Sequence, residues 1–383
     1  MGKIIHPKIT FNRSELAGAF GDIGTDFPLL VALILATGLH APGVLIVFGL
    51  LQIITGLVYR MPMPVQPLKA MATLVIAQKI GGDILLGAGL AIGVCMFFLS
   101  VTGLLQKLST FIPKSVVRGI QFGLGLSLCS LALKEYILKS DFAGYLLATL
   151  SFIIVLFFIK NKRFPAAIIV IFIGLLYAFL FKLHITDFTR LIGVNWPPIG
   201  VPSLTHIVQG FLLLSLPQIP LSLGNSILAT QQSCKDYFPE RTDISVTKLG
   251  FSYAGMNLLA PFLGGIPVCH GAGGLVGHYA FGGRTGGSVV IYGSMYLVLG
   301  LFFGNGFNSI IQLFPLPVLG VILLFEGLSL MQLIIDVGSD KKSFTIALLT
   351  GILAFGLPYG YLFALVLGTL FFYGSAKIDW LKD

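Results

Sequence analysis

Lys69 stands in the stretch Met61-Pro-Met-Pro-Val-Gln-Pro-Leu-Lys-Ala70, past three prolines and at the start of an apolar run. An ammonium group without a counter-charge in an apolar phase is expensive, so its presence implies a bound anion or a buried carboxylate. Asp22 and Asp26 lie in Phe20-Gly-Asp-Ile-Gly-Thr-Asp-Phe-Pro28, and at i and i+4 they share a face wherever that stretch is helical. Each is a candidate partner for Lys69 or a candidate proton carrier, and Asp22 is alternatively a helix cap near the cytoplasmic face. Glu326 lies deep in a later apolar run and is a further candidate proton carrier, its alternative being structural partner to a Lys or Arg. Arg118, one turn beyond Pro113, is equally suited to snorkelling to the membrane surface. Gln66, Gln218, Asn225, Cys269 and His270 add neutral donors. A lone histidine ordinarily bonds helix to helix, but His270 falls in an irregular stretch and is a candidate ligand or proton relay.

Holding an anion and moving protons is the chemistry these types can do, and enzymatic chemistry is poorly represented. The run Gly271-Ala-Gly-Gly274 lacks the preceding strand and βαβ context of a nucleotide fingerprint. No catalytic triad, metal cluster or P-loop is visible, so neither a cofactor nor a bound metal is expected. Cys95, Cys129, Cys234 and Cys269 have unrelated spacings, with no disulfide framework or zinc pattern. The net charge of +9 is scattered through short loops and reads as a topology signal, not a nucleic-acid patch.

The elements that position these residues are membrane spans. Of 383 residues 56% are hydrophobic and 10% charged, with a mean hydropathy of +0.95, against about 25% charged in soluble chains. Apolar runs near the ~20 residues needed to cross a bilayer recur throughout. They fall at 15–37, 43–59, 64–79, 84–105, 113–133, 143–159 and 165–182, then at 203–231, 244–262, 267–280, 287–304, 312–333, 343–357 and 359–375. A polar connection, 183–202, separates the two sets of seven. Met1 to Arg13 is polar and basic, and no cleavable leader is expected. With the N-terminus in the cytoplasm, most loop Lys and Arg fall inside, as the positive-inside rule requires, and the C-terminus is cytoplasmic too.

The halves resemble one another. Pro113-Lys-Ser-Val116 with Gly125-Leu-Ser-Leu128 is matched, 202 residues on, by Pro315-Leu-Pro-Val318 with Gly327-Leu-Ser-Leu330. Asp26-Phe-Pro-Leu29 and Ile34-Leu-Ala-Thr37 are matched by Gln218-Ile-Pro-Leu221 and Ile227-Leu-Ala-Thr230, and Pro64-Val65 by Pro267-Val268. An odd number of spans per repeat inverts the second copy, 203–383, relative to the first, 1–182, as in secondary transporters with a midplane site. The third and tenth segments, the second reading Gly264-Gly-Ile-Pro-Val-Cys-His-Gly-Ala-Gly-Gly274, open on Pro- and Gly-rich backbone that cannot be regular helix. Such backbone survives at membrane depth only where it lines a cavity or is buried in protein. Each stretch then feeds a half-helix whose free N–H groups favour an anion. Pro67, Gly271 and Ala272, at these openings, join Gln66, Lys69, Asp26, Gln218, Cys269 and His270 as candidate substrate-binding residues. The alternative is an ordinary bundle with proline kinks and glycine packing faces.

The motifs Phe20–Pro28, Pro62–Ala70 and Pro267–Gly274 resemble the signature stretches of the molybdate transporter family, relatives of the sulfate permeases. The resemblance implies an all-α polytopic membrane protein of fourteen segments with the seven-plus-seven inverted repeat. It also implies a core domain (segments one to four and eight to eleven) moving against a gate domain (five to seven and twelve to fourteen), with molybdate between half-helices three and ten. Proton-coupled uptake through a cell membrane (the inner membrane in a Gram-negative bacterium) is the expected activity, with the lipid bilayer as surroundings and a homodimer plausible by analogy. The C-terminal regulatory domain of many sulfate permeases is not expected after the last span. A sulfate or nucleobase carrier of the same fold, an anion channel, and a membrane-embedded enzyme or receptor are the rivals. Lys69 favours an anion over a neutral base.

Overall fold

The computed structural model describes residues 8–158, 166–181 and 193–374. The basic connection Lys160–Arg163, the first part of the connection 183–202 and both termini lie outside the described residues. Within them the chain is mostly helical, and six helices are long and apolar enough to cross a membrane.

The first expected segment is two helices, α1 (Arg13–Ala19) and α2 (Ile23–Thr37). Gly21 marks the break, where an added Cβ would run into the backbone of Gly277. There follow α3 (Ala41–Tyr59), strand β1 (Val65–Pro67), α4 (Lys69–Gln78), α5 (Gly82–Val101) and a short α6 (Leu104–Phe111). α7 (Lys114–Leu131) continues through a π-helical turn to Ile137, and α8 (Phe142–Phe158) and α9 (Ala166–Phe181) follow. One continuous run, Leu204–Tyr237, then comprises α10 (Leu204–Gly210), α11 (Leu216–Leu221) and α12 (Ala229–Tyr237), joined by π turns at Phe211–Ser215 and Ser222–Leu228. Next come α13 (Val246–Leu259), strand β2 (Val268–His270), α14 (Ala272–Ala280) and α15 (Gly287–Leu313). The chain closes with α16 (Leu316–Gln332), α17 (Lys341–Gly356) and α18 (Gly360–Gly374).

Packing sorts these helices into two sets. α3 lies along α15, and α5 against α10 and α13; in the other set α7 packs on α16 and α17, and α17 on α18. Small residues allow the close approach expected between helices in lipid. A Cβ on Gly49 would stand 2.6 Å from the Gly293 carbonyl oxygen, and one on Gly293 2.6 Å from that of Gly49. The large exposed side chains, Phe98, Phe157, Phe172, Ile352 and Leu370 among them, are apolar, as a lipid-facing surface requires.

Candidate functional site

Two short strands cross at the centre of the molecule. β1 and β2 pair antiparallel, with Val65 opposite His270, Gln66 opposite Cys269 and Pro67 opposite Val268. Prolines keep both stretches out of the helix, and buried backbone must then find partners elsewhere. Two side-chain amides supply them. Gln52 on α3 donates to the Val65 carbonyl oxygen (2.7 Å) and accepts from the Val65 N–H (2.9 Å). Asn257 on α13 does the same for Val268, at 2.6 and 2.9 Å. Each strand is thus clamped at its first residue by the helix preceding it.

Each strand leads into a half-helix. α4 begins after Leu68 and α14 after Gly271, and neither start is capped by a side chain. The first N–H groups of a helix have no intrahelical partner. In α4 the Met71 N–H is taken by Oε1 of Gln218 at 3.1 Å. A cavity of about 330 Å³ lies at these two ends, lined by Gln66, Lys69, Gln218, Cys269, Gly271, Ala272 and Gly273. Leu221, Ser226 and Ala229 come from the run containing α11 and α12, and Arg118, Leu330 and Leu333 from the other helix set.

Six of the residues singled out by sequence therefore meet at one cavity: Gln66, Lys69, Gln218, Cys269, Gly271 and Ala272. Pro67, Asp26 and His270 are not in its lining. Pro67 is spent in the strand pair. His270 is fully buried and both ring nitrogens are engaged, Nε2 with Ser252 Oγ at 2.7 Å and Nδ1 with the Pro64 carbonyl at 3.2 Å. It fastens the strand crossing to α13, the helix-to-helix role that is ordinary for histidine. The side chain of Asn225 lies outside the described residues.

The carboxylates have distinct settings. Asp22 precedes α2 but does not cap it with its side chain; both its oxygens accept from Gln66 Nε2, at 2.7 Å each. Gln66 consequently turns its amide donor away from the cavity. Asp26, 1% exposed, is in hydrogen-bonding reach of Asp22, and its Oδ2 has no hydrogen-bond partner among the described residues. Glu326 on α16 pairs with Lys69, Oε1 to Nζ at 2.8 Å. Arg118 donates from Nη1 to Gln121 Oε1 at 2.8 Å and pairs through Nη2 with Asp336.

Sequence reasoning left Arg118 undecided and missed Ser226, Ala229 and Gly273. Ser226 and Ala229 belong to a π turn and the start of α12, and π turns carry no composition signal. Gly273 lay within a motif already noted, two residues inside the half-helix that Gly271 opens.

The site's ingredients are two helix starts without a capping side chain of their own, that of α4 partly met by Gln218, and an ammonium and a guanidinium on a shared cavity, all suited to a small anion. Residues 14–128 and 210–330 match the family described as molybdate transporter of the MFS superfamily. Molybdate transporter 1 of Arabidopsis thaliana is 33% identical over an alignment covering 88% of this chain and 83% of the relative. Molybdate transporter 2 of the same plant is 34% identical, covering 86% and 81%. Molybdate transporter 1 of Chlamydomonas reinhardtii is 25% identical, covering 88% and 87%. Among solved structures, the transmembrane domain of the cyanobacterial bicarbonate transporter BicA superposes with a TM-score of 0.69 at 18% identity, covering 95% of this chain and 98% of that one. Murine Solute Carrier 26 family member A9, an anion transporter in the inward-facing state, superposes with a TM-score of 0.72 at 13% identity, covering 97% and 69%. Those two likenesses establish a shared fold; the family match and the 33–34% identity along most of the chain establish kinship, and this chain belongs to the molybdate transporter family.

Proposed function

We propose that this protein is a secondary transporter that takes up molybdate across the cell membrane by alternating access. The observation that carries the proposal is the cavity on which Lys69, Arg118 and the starts of α4 and α14 converge. A tetrahedral dianion there gains helix N–H donors and two cations, and the kinship with molybdate transporters favours transport over catalysis. The protein is a carrier and not an enzyme.

Fourteen segments in a seven-plus-seven inverted repeat are the architecture we infer around this site. The matching motifs support it, as do the paired half-helices and the identical clamping of Val65 by Gln52 and of Val268 by Asn257. The first packed set, with α3, α5, α10, α13 and α15, serves as core, and the second, with α7, α16, α17 and α18, as gate. The cavity wall includes Arg118 near the start of α7, which opens on Lys114, and Leu330 and Leu333 at the end of α16, shortly before Lys341 and Lys342 open α17. With those lysines and both termini at the cytoplasmic face, the arrangement is inward-facing. Protons accompany the anion on one of the membrane carboxyls Asp22, Asp26 or Glu326, and two copies pair through their exposed gate faces as a homodimer.

Purified protein in liposomes tests this directly. Molybdate uptake should saturate, rise with a proton gradient directed with the anion, and be displaced weakly by sulfate and not by uracil. Equal displacement by sulfate would defeat the substrate assignment, a current that never saturates would make the protein a channel, and indifference to the gradient would remove the protons.

A further inference from the structure

The ion pair between Lys69 and Glu326 joins the two packed sets at the anion cavity. Lys69 is the first residue of α4 and lines the cavity; Glu326 sits on α16, across the interface. We propose that Glu326 is the resident counter-anion of the empty carrier, and that an oxyanion enters by displacing its carboxylate from Lys69.

Electrostatics forces the exchange. Lys69 adds its charge to the positive end of α4, and without a counter-ion at membrane depth that site is costly. Glu326 supplies one through a 2.8 Å contact, with the side chains 32% and 18% exposed. A dianion at the α4 and α14 helix starts would put three negative charges beside one ammonium and a guanidinium already paired with Asp336 if the carboxylate stayed. Like charges at that separation are strongly unfavourable in a medium poorer than water. The remaining charges near α16 do not relieve this. Asp26 on α2 and Glu135 in the continuation of α7 are themselves acidic, Lys134 beside Glu135 is exposed, Arg118 and Lys114 on α7 are engaged by Asp336, and α8 and α9 contain no charged residue.

The same exchange links occupancy to movement. α4 is joined to the first set through β1, which Gln52 of α3 clamps, and it also packs on α7; among the described residues two ion pairs further tie α4 and its C-cap to the second set: Lys69 with Glu326, and Lys79 with Glu135 at 3.6 Å. The second has side chains 74% and 33% exposed and contributes little, as surface pairs do. The inner pair is the stronger tie, and the substrate is what releases it. Glu326 therefore sets the affinity of the site from outside the substrate's own ligand set.

This rests on the anion-carrier reading, and the sign of one measurement separates the two. Molybdate binding to the purified full chain and to Glu326→Gln is measured by calorimetry in detergent. The glutamine is nearly isosteric and no longer competes for the ammonium. If the carboxylate-free state is about a tenth or less of the empty carrier, the variant binds at least about tenfold tighter. A purely structural role for Glu326 gives the opposite sign, weaker binding in a loosened site, and either that or an unchanged affinity overturns the proposal. Where Glu326→Gln does not fold, Glu326→Asp, which draws the carboxylate back by one methylene, must bind more tightly than the wild type; if it does not, the proposal fails. Absence of molybdate binding in the wild type itself would instead sink the anion-carrier reading.

Discussion

At the scale of single residues, the charges at the cavity are all committed before any substrate arrives. Lys69 holds Glu326, Arg118 holds Gln121 and Asp336, and Gln66 holds Asp22. Lys69→Gln should raise the molybdate Kd at least about thirtyfold, since truncating one partner of a desolvated charge contact costs about 2–5 kcal/mol. It should also lower the unfolding temperature in detergent by leaving Glu326 unpaired, and Lys69→Gln with Glu326→Gln should recover the temperature but not the binding. A double variant that regains binding would take Lys69 out of the site. Away from the membrane, Asp243 accepts from Arg241 at 2.8 Å and from Lys248 at 2.6 Å, and these bonds hold its carboxyl well below the usual carboxylate range. Its folded-state value is depressed, so its stabilising contribution is complete above the unfolded value of about 3.9 and is lost as pH falls below that. Unfolding temperatures of the wild type and Asp243→Asn should therefore differ by a constant amount from pH 7 down to about 4 and begin to converge only as the pH falls further below that; a difference that stays constant there too would assign the effect to packing. The types of these residues were legible in the sequence because a charge in an apolar run is conspicuous. Their partners were not, since Lys69 and Glu326 are 257 positions apart and nothing local couples them.

At the scale of elements, the two interrupted segments were readable because proline and glycine disfavour regular helix at Pro62–Pro67 and Gly264–Gly271, although the helix resumes at Ala272, inside the glycine-rich run. That the interruptions are paired strands was not readable: three residues carry no alternation. Nor was the break at Gly21, which depends on Gly277 in a distant helix. The clamps by Gln52 and Asn257 are the consequence with the clearest test. Asn257→Leu leaves the N–H and carbonyl of Val268 without their side-chain partner, at about 1–3 kcal/mol each. Thermal unfolding should begin at lower temperature and molybdate binding should fall with it, and Gln52→Leu should match it in kind because Gln52 serves Val65 in the same way. Gly271→Ala is a subtler probe. An added Cβ would run into the carboxamide of Gln66 and push it off Asp22, so binding should weaken more than unfolding temperature. Equal losses would mark Gly271 as a packing position only.

At the scale of the whole molecule, the helices divide into two packed sets that meet at the cavity, and the proposed alternating access has one set move against the other. The expectation of a core and a gate came from the family resemblance and not from the repeated motifs, and the sequence held no sign of which contacts join the two packed sets. The position of α4 makes the movement measurable. Its first residue faces Glu326 beside the cavity, and its C-cap, Lys79, faces Glu135 at the opposite end of the half-helix. If the two sets slide or rock during each cycle, the separation between positions 79 and 135 must change, because the half-helix moves with one set and Glu135 with the other. Cysteines placed at these two positions, in a background whose four native cysteines are replaced and which still transports, can be bridged by a short bis-maleimide. Bridging should stop molybdate uptake while leaving binding to the cavity intact, because a bound but immobile carrier satisfies the site and not the cycle. The single-cysteine variants, treated alike, should transport normally. Uptake that survives quantitative bridging would mean that α4 and the continuation of α7 travel together, and the boundary between moving and stationary helices would then have to run elsewhere, through the contact of Lys69 with Glu326 alone.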